Sequence, residues 1–198
     1  MPPAASTNNQ ASARTIGIDD GPFTKQQETA PLVAALLNGS HLQDMRTTRI
    51  EVDGLDATNK AVKLLKPWKP APILLSGVTF AGFNLIDPHV LQKKFRVPVI
   101  VVIGSRPDNK AVKRALVKHF PDWKQRWQII SSLGPLRKVK THSGEPPIYY
   151  ESFGCSSREA SSLLKSVSRV SRLPEPIRIA GLLASGLFRS KATEARTR

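Results

Sequence analysis

The stretch Val97–Ile103 (VPVIVVI) is apolar at every position and runs into Gly104-Ser105. A short run of this kind without polar alternation is a strand buried on both faces, and helices must then cover both sides of its sheet. It is too short to cross a bilayer. Ile73–Leu75 is a second apolar strand, and the segment between the two, ending at Phe95, leaves room for a crossover. Strand, crossover, strand implies parallel pairing.

Upstream the links are shorter. Thr15–Ile18 ends in Asp19-Asp20-Gly21, Pro31–Leu37 ends in the turn pair Asn38-Gly39, and Met45–Val52 alternates before Asp53-Gly54. Three consecutive strands joined this closely predict an antiparallel meander. The period then changes: Ala57, Ala61, Leu64 and Leu65 recur at helical spacing, Asp56 stands at the N-cap position, and Pro67 stops the helix. Asp87 before Pro88 is a helix-start signal. Further helices are expected over Asn109–His119, Asp122–Leu133, Ser157–Val170 and Pro176–Leu187, with Leu136–Thr141 and Ile148–Glu151 as edge strands. The outline is an α/β fold of three antiparallel strands joined to a parallel pair, with helices on the faces. It is compatible with a ribonuclease H-like domain over residues 14–190. Residues 1–13 lack hydrophobic periodicity and read as a flexible tail, and 191–198 as a frayed basic end.

With 198 residues, 40% hydrophobic and 23% charged, the chain can bury one domain-sized core without staples. The single cysteine, Cys155, forms no internal disulfide, and no leader or membrane-spanning run is visible, so a cytoplasmic protein is expected. Charge is the first functional clue. Thirty Lys and Arg against 15 Asp and Glu leave a net charge of +15, which favours a polyanion through counterion release. Lys110, Lys113, Arg114 and Lys118 share one predicted helix and Lys124 and Arg126 the next, with Trp123 and Trp127 among them. Bases of nucleic acid stack on such aromatics, although a tryptophan here also suits a core and a charged helix face is ordinarily just solvated.

The acids are few and unevenly placed. Asp19, Asp20, Asp53, Asp56 and Asp87 all fall just beyond predicted strands in the first half of the chain. Carboxylates meeting at one sheet edge supply the hard oxygen ligands that Mg²⁺ or Mn²⁺ takes, and a metal so held activates water against phosphate. The structural alternative stands beside this, because Asp-Gly is turn chemistry and Asp56 suits a helix cap. Other chemistries find little support: the four histidines lack ligand spacing, and no Walker loop, Gly-x-Ser-x-Gly or dinucleotide fingerprint occurs.

Four ordered runs carry a family likeness: Ile16-Gly17-Ile18-Asp19-Asp20-Gly21, Val52-Asp53-Gly54-Leu55-Asp56-Ala57-Thr58, Ser76-Gly77-Val78-Thr79-Phe80-Ala81-Gly82-Phe83-Asn84, and Arg172-Leu173-Pro174-Glu175-Pro176-Ile177-Arg178-Ile179-Ala180. By these the chain resembles the archaeal endonuclease dU family from about Arg14 to Ser190. That family is similar to endonuclease V, a Mg²⁺-dependent, ribonuclease H-like enzyme acting on nucleic acid with deaminated bases. The resemblance implies that Asp19 is the first-strand ligand, with Asp53 or Asp56 near the second acid. The catalytic set is then Asp19, Asp20, Asp53 and Asp56, with Asp19 and Asp53 on the metal. Ser76, Thr79, Phe83 and Asn84 would line the cleft, and Arg106 and Arg178 would face phosphate.

The chain also departs from endonuclease V. Ser76-Gly77 stands where that group has Asp-Gly, Gly104-Ser105-Arg106 replaces its lysine, Gly181 replaces an Asp or His, and its Pro-Tyr wedge is missing. The expectation is a metal-dependent endonuclease of DNA repair. The alternative is a basic nucleic-acid-binding protein that keeps the fold without cutting, or a phosphotransfer role for the same carboxylates.

Overall fold

A computed structural model describes residues 14–24 and 26–194; the expected tail over 1–13 and residues 195–198 fall outside the described residues. The chain runs β1 (Arg14–Asp20), β2 (Thr29–Asn38), β3 (His41–Glu51), α1 (Ala57–Leu65), β4 (Ile73–Ser76), β5 (Thr79–Phe80), β6 (Asn84–Leu85) and α2 (Pro88–Phe95). It continues through β7 (Val99–Ile103), α3 (Asn109–His119), α4 (Trp123–Ser131), β8 (Arg137–Val139), β9 (Ile148–Phe153), α5 (Ser157–Val167) and α6 (Glu175–Glu194).

Seven strands form one mixed sheet in the order β3-β2-β1-β4-β7-β9-β8. The meander over β1–β3 and the parallel β4–β7 pair match the sequence reading. The parallel region is larger than expected, because β1 itself runs parallel to β4. One expectation is corrected: β9 is not an edge strand but lies between β7 and β8, antiparallel to both. Its length of Ile148–Phe153 and its buried Ile148, Tyr150, Glu151 and Phe153 suit an interior position.

Boundaries moved where exposure or proline hid them. β3 begins at His41 rather than Met45, because the Asn38-Gly39 turn extends the ladder through residues that are exposed and carry no hydrophobic pattern. β7 begins only after Pro98, which has no N–H to give the ladder. α5 ends at Val167 rather than Val170, and α6 runs to Glu194, beyond the expected Leu187. The stretch after Ser76 is a small β5–β6 hairpin turning through Ala81 and Gly82, both at positive φ (43° and 86°), followed by α2. None of the described helices is long and apolar enough to cross a membrane.

Alternation along β1 assigns the two faces. Ile16 and Ile18 join Ile73, Leu75, Val99 and Val101 against α1 and α2. The opposite face buries Leu74, Ile100 and Val102 under α5 and α6, and Val33 and Ala35 under α6. A fourth cluster packs α3 and α4 on the β5–β6 hairpin through Leu85, Leu116 and Ile130.

α6 lies against β1 at van der Waals distance because glycines remove the side chains between them. A Cβ on Gly17 would overlap the Pro176 carbonyl, and one on Gly21 would sit 2.7 Å from the Ala184 carbonyl oxygen. Gly17→Ala is therefore expected to lower stability by roughly 1–3 kcal/mol, the usual cost of overfilling a packed interior. The readout is a lower urea midpoint at constant m-value. An unchanged midpoint would mean that α6 does not lie on β1 in this way.

Candidate active site

β1 ends in two carboxylates, and strand alternation sends them to opposite faces. Asp19 turns toward α6 beside Ser76, the residue after Leu75, which pairs with Ile18 across the parallel ladder. Its carboxylate accepts from the Asp20 amide at 3.0 Å and from the Ser76 hydroxyl. Asp19 Oδ2 faces Gly181 of α6 so closely that a Cβ there would stand 2.5 Å away. Burial first, and the Asp20 charge second, push the Asp19 carboxyl up to about 7, against the opposing pull of its hydrogen bonds. Asp20 turns the other way and accepts from the Ala81 amide at 2.6 Å; burial raises it too, partly offset by that bond.

The remaining expected acids are occupied differently. Asp53, at φ 57°, accepts from the Phe83 amide at 2.8 Å, while its own amide donates to the Ala81 carbonyl at 2.8 Å. It therefore fastens the 81–83 turn, the same turn that presents the Ala81 amide to Asp20. Asp56 stands at the N-cap position of α1 but does not cap it. Its carboxylate instead accepts from the Glu51 amide (3.1 Å) and from the Asn84 side chain (2.7 Å). Asn84, expected to line the cleft, is wholly buried, and its Oδ1 accepts from the Ala57 amide at 2.9 Å, so it takes over the capping role. Among the described residues no group of three or more His, Cys, Asp or Glu is placed to hold a metal ion.

Arg126 corrects a second expectation. Grouped by sequence with the exposed basic face, it is 4% exposed and shares the inward side of α4 with Ile130, four residues on. Its guanidinium donates to the carbonyls of Asp53 (2.8 Å), Gly54 (2.9 Å) and Phe83 (2.6 Å) and pairs with Asp122 at 2.9 Å. The apolar spacing of Arg126 with Ile130 and the Asp122 four residues earlier were the available signals. The other bases do face outward: Lys110, Lys113, Arg114, Lys118 and Lys124 are exposed. Lys113 lies over Trp127, 5.1 Å from the ring centre, and Trp127 itself is half-buried against the α3–α4 cluster.

The expected substrate residues are dispersed. Thr79 and Phe83 are half-buried on the hairpin, Phe83 meeting Phe120 edge-on at 5.4 Å. Arg106 is exposed and borders a groove of about 540 Å³ with Arg137, Lys138 and Tyr149. Arg178 is tied to Glu175 by bonds of 2.9 and 2.6 Å, and Glu175 also accepts from the Val170 amide at 3.0 Å. Burial alone would raise the Glu175 carboxyl, but those bonds outweigh it and the net shift is downward. Glu175 thus locks the turn leading into α6. Cys155 is half-buried and its thiol is pushed up, by burial and then by Glu159, which keeps it protonated and a poor nucleophile.

One functional candidate escaped the sequence reading. Glu151, in the middle of β9, is 6% exposed, and its Oε2 has no hydrogen-bond partner. Burial raises its carboxyl to about 7. An acid inside an otherwise apolar strand was the signal available.

A seven-stranded mixed sheet of this order, with paired aspartates closing its first strand, defines a ribonuclease H-like α/β protein. Endonuclease V from Ciona intestinalis, solved with an inosine-containing 24mer DNA, shares this fold at TM-score 0.60 and 17% identity, covering 92% of this chain and 87% of that one. The catalytic domain of human endonuclease V aligns at TM-score 0.60, 15% identity, over 93% and 85% of the respective chains. A protein of unknown function from Archaeoglobus fulgidus aligns more closely, at TM-score 0.77 and 29% identity over 88% of this chain and 98% of its own. A UPF0215 protein of Methanothermobacter thermautotrophicus is 35% identical over 184 residues, 90% of this chain and 89% of the relative. The profile of the endonuclease dU family matches residues 11–188, and the chain belongs to that family.

Two measurements check this geometry. Arg126→Met removes four charge-assisted bonds while filling similar space, and breaking such a buried network costs about 3–5 kcal/mol, read as a lower midpoint of urea unfolding. Glu151 holds its proton more tightly folded than unfolded, so its contribution to stability is complete below about pH 4.5 and is lost as pH rises through about 7. Glu151→Gln should therefore gain stability over the parent progressively between those values, with no gain at lower pH. Asp19 keeps part of the parental decline in both proteins. A pH-independent difference would show that Glu151 titrates normally.

Proposed function

We propose that this chain is a metal-dependent endonuclease that cuts DNA beside deaminated, deoxyuridine-type bases, as a repair enzyme of the cytoplasm. The observation that carries this reading is the buried Asp19 carboxylate beside Asp20, with Ser76 and the bare α-carbon of Gly181 around it. Family membership and the DNA seen with the Ciona neighbour support it.

The donor set suits a hydrated Mg²⁺ or Mn²⁺ better than a dehydrated, fully protein-caged ion. Mg²⁺ keeps several waters and takes one or two carboxylates plus substrate phosphate. Asp19 would provide the carboxylate and Ser76 a further hard oxygen, while Asp20, on the other face of the strand, adds negative charge close by. Crowded, desolvated like charges gain most from a cation, and Oδ2 packs against Gly181 of α6, where a side chain would not fit. A bound ion would neutralise charge on the scissile phosphate and make water more acidic.

The protein's own groups perform the remaining tasks. Ser76 fixes the Asp19 rotamer. Asp53 acts at one remove: it holds the 81–83 turn whose Ala81 amide orients Asp20, and Arg126 clamps both ends of that connection. Asp56 and Asn84 brace the start of α1. Arg106 and the exposed lysines of α3 supply cationic contacts for a phosphate backbone. The second reading, a binding protein that does not cut, rests on Ser76 in place of an acid and on a carboxylate set limited to two.

A cleavage assay separates them. Uracil-containing, inosine-containing and undamaged strands are incubated with Mg²⁺ or Mn²⁺; the expected result is cutting of a deaminated strand, reduced at least about 100-fold in Asp19→Ala, the scale of losing an essential electrostatic group. Salt-sensitive binding with no cutting of any strand supports the binding protein instead. Gly181→Ala should keep or slightly raise helix stability, alanine being the better helix former by about 1 kcal/mol. Its methyl displaces Asp19, so cutting should fall although unfolding does not become easier.

A further inference from the structure

Glu151 is a buried acid that the nuclease reading does not use. It lies on the α3–α4 side of β9, opposite Val101 of β7, and lines a cavity of about 470 Å³. That size lies within the range of small-ligand pockets. Trp127, Leu133 and Leu136 provide apolar walls, with Lys110 exposed on α3 and Lys113, also exposed, lying over the Trp127 ring. Leaving a buried acceptor unpaired costs free energy, more for a charged group. Such a cost is repaid when a ligand supplies the missing bond.

Leu136 also borders the neighbouring basic groove of Arg106, Arg137 and Lys138. The groove and the Glu151 cavity thus adjoin at Leu136. The contents of the two sites are complementary: cations and a tyrosine in the groove, and an aromatic wall with one carboxyl in the cavity. A phosphate belongs in the first, where Arg106, Arg137 and Lys138 gather positive charge. A flat heterocycle with hydrogen-bonding edges belongs in the second, stacked on Trp127 and bonded at its edge to the carboxyl.

We infer that the cavity between β9 and the α3–α4 pair is a nucleobase pocket, in which Trp127 stacks on one unpaired base and Glu151 bonds its polar edge. The inference rests on the nucleic-acid reading above and deepens it by assigning the base-binding residues. Near neutral pH the carboxyl offers O–H and C=O side by side, matching the adjacent ring nitrogen and exocyclic group of a base. Both DNA and RNA strands present that edge.

Binding without metal isolates the pocket from the chemistry. Fluorescence anisotropy in chelator compares the full chain on short single strands that carry one uracil, hypoxanthine, cytosine or adenine among abasic positions with a wholly abasic strand, on DNA and RNA backbones. The expected result is an increase in affinity of about tenfold for at least one base over the abasic strand, the scale of one stacked base. The backbone that shows the increase identifies the source. Trp127→Phe should reduce the increase and Glu151→Leu abolish it, with affinity for the abasic strand and its salt slope unchanged. Glu151→Leu removes an unpaired polar group and so is expected to fold; Glu151→Gln, which keeps a donor and an acceptor, should retain part of the increase. Equal affinity of the parent for base-bearing and abasic strands, or an undiminished increase in Glu151→Leu, overturns the inference. Cutting in the Mg²⁺ assay without a Glu151-dependent increase overturns the pocket alone. A Glu151-dependent increase without cutting overturns the nuclease reading and leaves the pocket standing.

Discussion

The contact on which the site depends is that of α6 with β1. A helix ordinarily stands off a sheet by the thickness of the side chains between them, but Gly17 removes that spacer and brings the Pro176 carbonyl onto the strand. Four residues along, at Gly21, the same helix still touches the chain through Ala184. Between these points lie Asp19 and Gly181. The helix thereby does two things together: it desolvates Asp19, and it packs Gly181 against the outer carboxylate oxygen, where a side chain would not fit. Burial that raises the energy of an ionised acid gives that acid its greatest gain from a cation.

A second network works at the other face of the same strand. Asp20 is fixed by a single turn, and that turn is fixed by Asp53 and Arg126. Arg126 is buried, and its bonds go to three backbone carbonyls and to Asp122. A buried guanidinium needs this saturation, since its desolvation is repaid only when its donors are matched. The motif Val52-Asp53-Gly54-Leu55-Asp56 is thus mostly architecture: its acids hold a hairpin and a helix start, and act on the site through the turn that they position.

Charge is divided in space as well as in number. Exposed bases cluster on α3 and along the Arg106 groove, whereas Asp19, Asp20 and Glu151 are drawn inward at strand positions. The cationic rim and acidic interior are compatible because the interior carboxylates are desolvated and partly hydrogen-bonded. Glu151 follows the same rule on the far side of the parallel strands, with a cavity in front of it where Asp19 has a bare glycine.

Much of the fold was legible from residue order. Apolar runs, turn pairs and the switch from two-residue to helical spacing marked the meander, the parallel pair and α3 at its observed ends, because these are local periodicities that burial imposes on a chain. That Asp19 closes the first strand was likewise readable from the residues; that it lies beside Ser76 follows from β1 running parallel to β4, a pairing that residue order did not predict. Long-range packing decided the rest. Whether Arg126 meets phosphate or carbonyls, whether Asp56 or Asn84 caps α1, and whether β9 is edge or interior depend on which segments meet across tens of residues. A linear pattern contains no term for those contacts. Residue order specified which elements form and most of the faces they bury; contacts between distant segments set which buried polar groups satisfy one another and which, like Glu151 Oε2, remain without a partner.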